Sequence, residues 1–217
     1  MLVLLPPSEG KAYPEAGEPV DLGSLVFADH LGERRGKLLD ALDPGLHEAP
    51  AAPAAEIYTG VLYGRLGLPK LPAKAQRQVL IASALWGVVR PGDRIPYYRL
   101  PPKEKLDGIG PLAKYWRPAL AEALPDKKGD LILDMRSAAY SSMWKPKRAT
   151  LLAVRAFTKS NGERKAVSHM AKAVRGDVAR ALLQAKQLPS DPEGAAAIAE
   201  AAGFTVELVD GSLDVIV

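Results

Sequence analysis

The chain has 217 residues, of which 47% are hydrophobic, and it carries 29 Lys and Arg against 25 Asp and Glu. This balance is typical of a globular protein and excludes a disordered chain, a collagen and a coiled coil. Cysteine is absent, which excludes disulfides, thiolate-bound metals and a thiol nucleophile. No apolar run approaches the roughly 18 residues of a membrane span, and the apolar run before Pro6 is too short for a signal peptide. We expect a soluble cytoplasmic protein that does not bind membranes.

The charge is distributed unevenly along the chain. Residues 61–190 carry 25 Lys and Arg against 9 Asp and Glu, a net charge of +16, whereas both flanking segments are acidic. If these basic residues share one face, that face would attract a polyanion. The alternative is that the acidic ends fold back and neutralise the basic middle.

Hydrophobic periodicity and turn residues predict an α/β chain (mixed α+β) without internal repeats, and we interpret residues 1–217 as a single compact domain. The first half contains a buried strand at 3–5, a helix from Ser24 to Leu42, a helix at 56–66, a short helix after Pro72 and a buried strand at 79–82. The second half contains a helix at 112–124, a strand at 131–133, paired strands at 151–157 and 164–167 joined by a turn at 159–162, helices at 168–187 and 191–203, and a hairpin of 204–209 and 213–217 around Asp210-Gly211.

The loop at 85–99 concentrates charged and aromatic residues on a backbone shaped by proline and glycine. It follows a buried strand, which is where α/β proteins place ligand sites. Arg90 and Arg99 would hold one anionic group from two sides, since the guanidinium fork fits phosphate. Trp86 and Tyr97 would shape the cleft or stack on unpaired bases. The alternative is a structural loop in which both rings lie in the core and Arg90 pairs with a nearby carboxylate.

Two glycines in the middle of the chain form a pattern that could bring backbone N–H groups to a phosphate. Gly108 and Gly110 open a predicted helix, with Lys114 close by. This pattern resembles the hairpin of a helix-hairpin-helix DNA-binding motif, in which backbone N–H groups at a helix start meet a phosphate. The alternative is that these residues only begin an ordinary helix.

Two further basic segments follow. Lys145 and Lys147 flank a proline in a basic turn that suits contacts to backbone phosphates, although a solvated turn fits equally. Lys172 and Arg175 place cations near the start of a predicted helix, where acidic residues are usual. Such a conflict between local rules indicates a bound anion rather than a contribution to stability.

In combination these segments resemble the YaaA-type peroxide-stress protein family. The resemblance spans nearly the whole chain and is carried by Tyr58-Thr59-Gly60, the run 85–91 with Asp93, Pro96-Tyr97 with Arg99, Tyr115-Trp116, Ser137 with Tyr140, Lys145-Pro146-Lys147, and the run from Ser168 to Gly176. It implies the compact α/β domain called the cantaloupe fold, a basic cleft, a helix-hairpin-helix element, and binding of double-stranded DNA linked to oxidative stress and recombination repair.

The first expectation is therefore a non-enzymatic protein of the peroxide stress response. It would bind duplex or distorted DNA through a basic cleft with little sequence specificity, without a cofactor or metal. The residues expected to contact nucleic acid or another anion are Ser8, Lys11, Arg90, Arg99, Gly108, Gly110, Lys114, Lys145, Lys147, Lys172 and Arg175.

The alternative is an enzyme that acts on a nucleobase, a nucleoside or a DNA lesion in the same cleft, with a nucleobase-like small molecule as ligand. Acid/base groups beside cations in one cleft are typical of catalytic sites. The candidate catalytic residues are Asp93, Tyr97, Arg99, Asp134, Tyr140 and His169. A carboxylate in a small closed pocket would favour catalysis, and an open basic groove would favour duplex binding. The oligomeric state is left open.

Overall fold

A computed structural model describes residues 1–160, 163–167 and 170–217. Its strands are β1 (Leu2–Leu5), β2 (Ala51–Pro53), β3 (Val79–Ser83), β4 (Gly87–Val89), β5 (Arg94–Pro96), β6 (Leu131–Asp134), β7 (Thr150–Ser160), β8 (Glu163–Ala166), β9 (Thr205–Val209) and β10 (Ser212–Ile216). Its α-helices are α1 (Ala28–Leu42), α2 (Ala54–Ile57), α3 (Val61–Leu66), α4 (Ala73–Gln76), α5 (Leu112–Ala123), α6 (Ala138–Ser141), α7 (Ala171–Gln184) and α8 (Pro192–Ala201). The predicted mixed α/β class is confirmed.

One mostly parallel sheet carries the fold, with strand order β4–β3–β1–β6–β7–β10–β9 and with β8 paired to the far end of β7. Strands β3, β1, β6, β7 and β10 run parallel to one another, whereas β4, β8 and β9 are antiparallel additions. The strands β1, β3 and β6 are buried along almost their whole length, which explains their continuous apolar sequences. β2 and β5 form a separate two-stranded sheet. In the part of the chain that the structure describes, no helix has the length and apolarity needed to cross a membrane.

The strand order reverses beside β1. The chain passes from β1 to β3 on one side and later returns to place β6 on the other. At such a reversal the connecting loops leave in opposite directions and open a crevice at the carboxyl ends of the strands, where α/β proteins bind ligands. Leu4 lies opposite both Leu80 and Asp134, so the segments that follow β1 and β6 emerge side by side.

Several predicted elements match the structure closely. The buried strands at 3–5, 79–82 and 131–133 correspond to β1, β3 and β6. Asp191 caps α8 by accepting a hydrogen bond from the Gly194 N–H, as its sequence indicates. Asp210 and Gly211 have φ angles of 38° and 75°, which is typical of the two-residue hairpin turn predicted between β9 and β10.

Two predicted helices differ from the observed ones. Ser24 does not cap α1, because its hydroxyl donates to the Asp21 carbonyl and the helix begins after Phe27 in a left-handed conformation. The helix predicted over 56–66 is divided into α2 and α3 because Gly60 has a φ of 99°, which no helix accommodates. The capping role expected of Ser168, and the centre of the turn after β7, lie outside the described residues.

The helix α7 approaches α3 closely at Gly176. A Cβ at this position would lie 2.4 Å from the Leu62 carbonyl oxygen and 2.8 Å from the Arg65 Cβ. Beside this contact, the Arg65 guanidinium donates to both oxygens of Asp177 at 2.7 to 3.0 Å. The absence of a side chain at Gly176 therefore sets the distance between the two helices.

We predict that Gly176→Ala lowers the free energy of unfolding by about 1–3 kcal/mol, because the added methyl group overpacks the α3–α7 contact. The matched control is Gly32→Ala in α1, where a Cβ meets no atom within 4 Å. That substitution should stabilise the protein by up to about 1 kcal/mol through helix propensity. Urea unfolding of both variants measures the difference, and equal effects would contradict the close approach.

Candidate functional site

A half-buried lysine and a chain of hydroxyl groups lie at the crevice beside β1. The Tyr58 and Tyr98 hydroxyl oxygens are 2.7 Å apart, and the Tyr98 oxygen is 2.7 Å from Ser83 Oγ at the end of β3. Ser83 Oγ also accepts hydrogen bonds from two backbone N–H groups in the turn that follows. We call Lys11, Tyr58, Ser83 and Tyr98 the lysine–tyrosine cluster.

Lys11 is held by a carbonyl and two aromatic faces. Its Nζ donates to the Ser8 carbonyl at 2.9 Å and lies 4.6 Å from the centre of the Tyr98 ring and 5.9 Å from that of Tyr58. Within the described ranges, no carboxylate oxygen comes within 4.0 Å of this amine. Burial lowers the pKa of Lys11, and the more distant charge of Glu9 opposes that effect.

The loop that carries Lys11 is fixed to the turn before α3. Lys11 forms an antiparallel bridge with Tyr58, and the Ser8 hydroxyl donates to the Thr59 carbonyl. A Cβ on Gly60 would lie 2.8 Å from Ser8 Oγ, and its φ of 99° also requires glycine. The Tyr58-Thr59-Gly60 segment therefore positions the loop as well as one ring of the cluster.

A buried ion pair forms the other wall of the crevice, after β6. The Arg136 guanidinium donates to both carboxylate oxygens of Asp134, at 2.8 and 2.9 Å, and to the Trp144 carbonyl at 3.0 Å. Both side chains are almost completely buried. Both oxygens of the Asp134 carboxylate, which the sequence suggested as an acid or base, are thus held by Arg136.

Two more of the expected residues lie near this wall. Arg175 donates from Nε to the Val154 carbonyl at 2.9 Å, and burial lowers its pKa while Asp134 opposes that effect. Burial, assisted by the charge of Glu9, raises the pKa of Tyr140 to about 12, so its phenol is neutral at physiological pH. His169 lies outside the described residues.

The two arginines of the 85–99 loop are not brought together, which corrects the expected clamp. Arg90 donates to the Arg77 carbonyl, close to the amino end of β3. Arg99 is exposed and follows Tyr98, whose hydroxyl reaches the carboxyl end of the same strand. They lie at opposite ends because β4 is antiparallel to β3 and returns the chain to the amino end.

Asp93, one of the expected catalytic residues, holds two backbone segments together. Its carboxylate accepts hydrogen bonds from the backbone N–H groups of Arg90 at 2.9 Å and Val26 at 3.2 Å. Burial raises its pKa, and these two hydrogen bonds oppose the rise. The carboxylate thus joins the turn after β4 to the segment before α1.

The aromatic residues of this loop divide between the core and the surface. Trp86 is completely buried and cannot stack on a base, which corrects that part of the expectation. Tyr97 is 38% exposed, and its ring centre lies 5.6 Å from that of Tyr13. Tyr98 points inward to the lysine–tyrosine cluster.

An open groove lies between α5 and the segment that follows α6. It has a volume of about 570 Å³, and we call it the basic groove. The residues that line it are Arg117, Pro118, Ala121, Ser141, Ser142, Trp144, Lys145 and Lys147. Asp126 accepts hydrogen bonds at 2.8 Å from the three consecutive backbone N–H groups of 147–149, which holds the basic turn in shape.

The expected helix-hairpin-helix element is incomplete. Gly108 and Gly110 do form a turn with φ angles of 74° and 76° before α5. However, the described residues 97–111 contain no helix that could precede this hairpin. Lys114 on α5 and Lys172 on α7 are exposed, as a role in anion binding requires.

Sequence reasoning missed three members of the lysine–tyrosine cluster: Tyr58, Ser83 and Tyr98. The available signal was the alternation Tyr97, Tyr98, Arg99, Leu100, in which every second residue is buried.

Among the described residues, no three His, Asp or Glu side chains are grouped as metal ligands. The polar groups at the crevice are the Lys11 amine, the Tyr58, Tyr98 and Ser83 hydroxyls, and the Asp134–Arg136 ion pair.

We predict that Tyr98→Phe destabilises the protein more than Tyr58→Phe does. Tyr98→Phe leaves the buried Tyr58 hydroxyl without its partner, which should cost about 1–3 kcal/mol. Tyr58→Phe should cost only about 0.5–1.5 kcal/mol, because the Tyr98 hydroxyl keeps Ser83. Urea unfolding measures both values, and the reverse order would contradict the hydrogen-bonded chain.

Because several tyrosine phenols are buried, we also predict that the protein unfolds at alkaline pH. Burial raises the pKa values of Tyr58, Tyr63 and Tyr98 in the folded state above the value of about 10 expected for an unfolded chain. Their stabilising contribution is therefore complete below pH 10 and is lost as the pH rises further. In an ultraviolet titration, at least three of the seven tyrosines should ionise only when circular dichroism shows unfolding. Ionisation of all seven in the folded protein would contradict this.

The comparisons with known proteins agree with the resemblance seen in the sequence. A family model described as peroxide stress protein YaaA matches residues 33–207. A UPF0246 protein of Streptomyces coelicolor is 42% identical over 95% of this chain and 92% of its own length. UPF0246 proteins of Corynebacterium efficiens and Corynebacterium glutamicum are 37% and 35% identical, over 97% and 95% of this chain and 96% and 95% of their own. With the family model covering most of the sequence and relatives aligned from end to end, the chain belongs to the YaaA family of peroxide stress proteins.

Proposed function

We propose that the protein binds duplex or distorted DNA through the basic groove, with little sequence specificity, as its part in the peroxide stress response. The binding would take place in the cytoplasm, on the cantaloupe fold that the family resemblance implies. The observation that carries the proposal is an open groove with exposed cations along its walls.

The cations at the groove form no close ion pairs with the described residues. In the described part of the chain, no carboxylate oxygen comes within 4.0 Å of a cationic nitrogen of these side chains. The side chains at or beside the groove are Lys114, Arg117, Lys145, Lys147 and Arg148. A cluster of exposed cations that form no close ion pairs favours a polyanionic partner.

The acidic carboxyl-terminal hairpin neutralises a different set of cations. Asp214 accepts hydrogen bonds from Arg155 at 2.7 Å and from Arg164 at 3.3 Å, and Glu207 also contacts Arg164. These arginines lie on β7 and β8. The alternative drawn from the charge distribution therefore applies at this end of the sheet, and in the proposal the cations beside α5 remain available to a ligand.

The chemistry of the groove favours phosphates over bases. Trp144 is 4% exposed and offers no free face for stacking. Among the described residues, the Arg117 guanidinium makes one hydrogen bond, to the Ser142 carbonyl at 3.1 Å, and its other N–H groups can serve a ligand. Lysine and arginine contacts to phosphates position DNA without reading its sequence.

We predict that duplex DNA binding weakens steeply with salt, because each neutralised phosphate releases counterions. The slope of log K against log salt should be about −0.9 for each phosphate contacted. Lys145→Glu with Lys147→Glu should weaken binding equally for unrelated sequences and make the slope shallower by about 2. Fluorescence anisotropy over a salt series measures both effects.

The matched control is Lys70→Glu with Lys74→Glu, which makes the same charge change at exposed positions before β3. The control should bind DNA far more tightly than the groove variant does. Both variants should keep their free energy of unfolding within about 0.5 kcal/mol. Equal loss of binding in both variants, or no binding by the parent protein at low salt, would refute the proposed groove.

A further inference from the structure

The amine of Lys11, expected from the sequence to contact an anion, has surroundings that the proposed DNA binding through the basic groove does not explain. It is half-buried at the crevice, it is not among the residues that line the basic groove, and its hydrogen-bond acceptor is a carbonyl rather than a carboxylate. A lysine that serves only stability is usually paired with an acid or solvated. Lys11 is instead packed against the faces of two tyrosine rings whose hydroxyl groups are fixed by hydrogen bonds.

We propose that Lys11 is an imine-forming amine that captures an aldehyde at the carboxyl edge of the sheet. The location is the crevice where the strand order reverses, which is the usual ligand site of an open α/β sheet. The loop that carries Lys11 is fixed to the turn at 57–60, so the amine is positioned before a ligand arrives.

The reaction balances without another reactant. The Lys11 lone pair attacks the aldehyde carbon, a C–N bond forms, and the carbonyl electron pair moves to oxygen, which takes up a proton. The resulting carbinolamine then loses its oxygen as water. The amine contributes both of its protons overall, and the products are a C=N bond and one water molecule.

Two features of the cluster support this chemistry. Burial lowers the pKa of Lys11, which increases the fraction of neutral, nucleophilic amine at physiological pH. The Tyr98 ring face, 4.6 Å from Nζ, attracts cations and therefore also stabilises the protonated imine. An N–H of the neutral amine can still donate to the Ser8 carbonyl while the lone pair attacks.

The aldehyde has two possible sources with the same chemistry. One is the ring-opened sugar of an abasic site in DNA, which would link the crevice to the proposed DNA binding. The other is a free small aldehyde. Imine formation with a free aldehyde does not depend on DNA, so the proposal and the DNA-binding function can fail separately.

Reductive trapping tests the proposal. The intact protein is incubated with sodium cyanoborohydride and either glycolaldehyde, a duplex that contains one abasic site, or the same duplex undamaged. Peptide mass mapping then identifies the modified lysines. With glycolaldehyde at neutral pH, Lys11 should be labelled faster than exposed Lys70, because burial lowers the pKa of Lys11 and raises the fraction of free amine. A cross-link at Lys11 to the abasic duplex alone identifies DNA as the source, and labelling by glycolaldehyde alone identifies a free aldehyde.

The matched variants are Lys11→Arg and Lys70→Arg. Arginine at position 11 keeps the positive charge, the Ser8 hydrogen bond and the contact with the rings, but it cannot form an imine. Lys11→Arg should therefore lose the label or cross-link by at least about tenfold with little change in melting temperature, and Lys70→Arg should retain both. Equal labelling of Lys11 and Lys70, together with no cross-link at Lys11, overturns the proposal. This mapping on the parent protein decides the matter even if Lys11→Arg does not fold.

Discussion

The reversal of strand order beside β1 is the constraint on which the other features depend. Because β1 lies between β3 and β6 and is parallel to both, the segments after all three strands meet at one edge of the sheet. Burial of all three strands makes this edge the place where their polar continuations reach the surface. The Ser8–Lys11 loop, Ser83 and the Asp134–Arg136 pair all occur there for this reason.

The polar groups at this edge differ in which partners they have. Asp134 and Arg136 form an ion pair. The two buried tyrosine hydroxyls and Ser83 form a continuous chain of hydrogen bonds. These groups give the crevice its shape, because the loss of any of these interactions would leave a buried polar group without a partner. Lys11 differs because its amine meets a carbonyl and ring faces, which leaves it chemically available.

The uneven charge of the sequence has two separate structural outcomes. At one end of the sheet, the acidic β9–β10 hairpin lies against the basic strands β7 and β8 and forms ion pairs with them. Along α5 and the basic turn, Asp126 engages backbone N–H groups and leaves the side chains of Lys145 and Lys147 exposed. The net charge of the middle segment is therefore a poor guide to the field at any single surface.

Local sequence was sufficient for the elements whose signals are local. The apolar runs of β1, β3 and β6, the Asp191 cap and the Asp210-Gly211 turn depend on neighbouring residues, and sequence reasoning placed them correctly. It also identified the YaaA family, the basic turn and several residues of the crevice. It failed where one element must meet another: Arg90 and Arg99 were expected together and lie at opposite ends of β3.

Strand order and register join residues that are distant in the sequence, such as Tyr58 and Tyr98. No periodicity or spacing encodes that contact, because it depends on how the whole sheet is assembled. The same is true of which tyrosine of the 97–98 pair faces inward. The sequence by itself determined the elements and the family, and only the tertiary structure decided which polar groups pair with one another and that the Lys11 amine meets a carbonyl and ring faces.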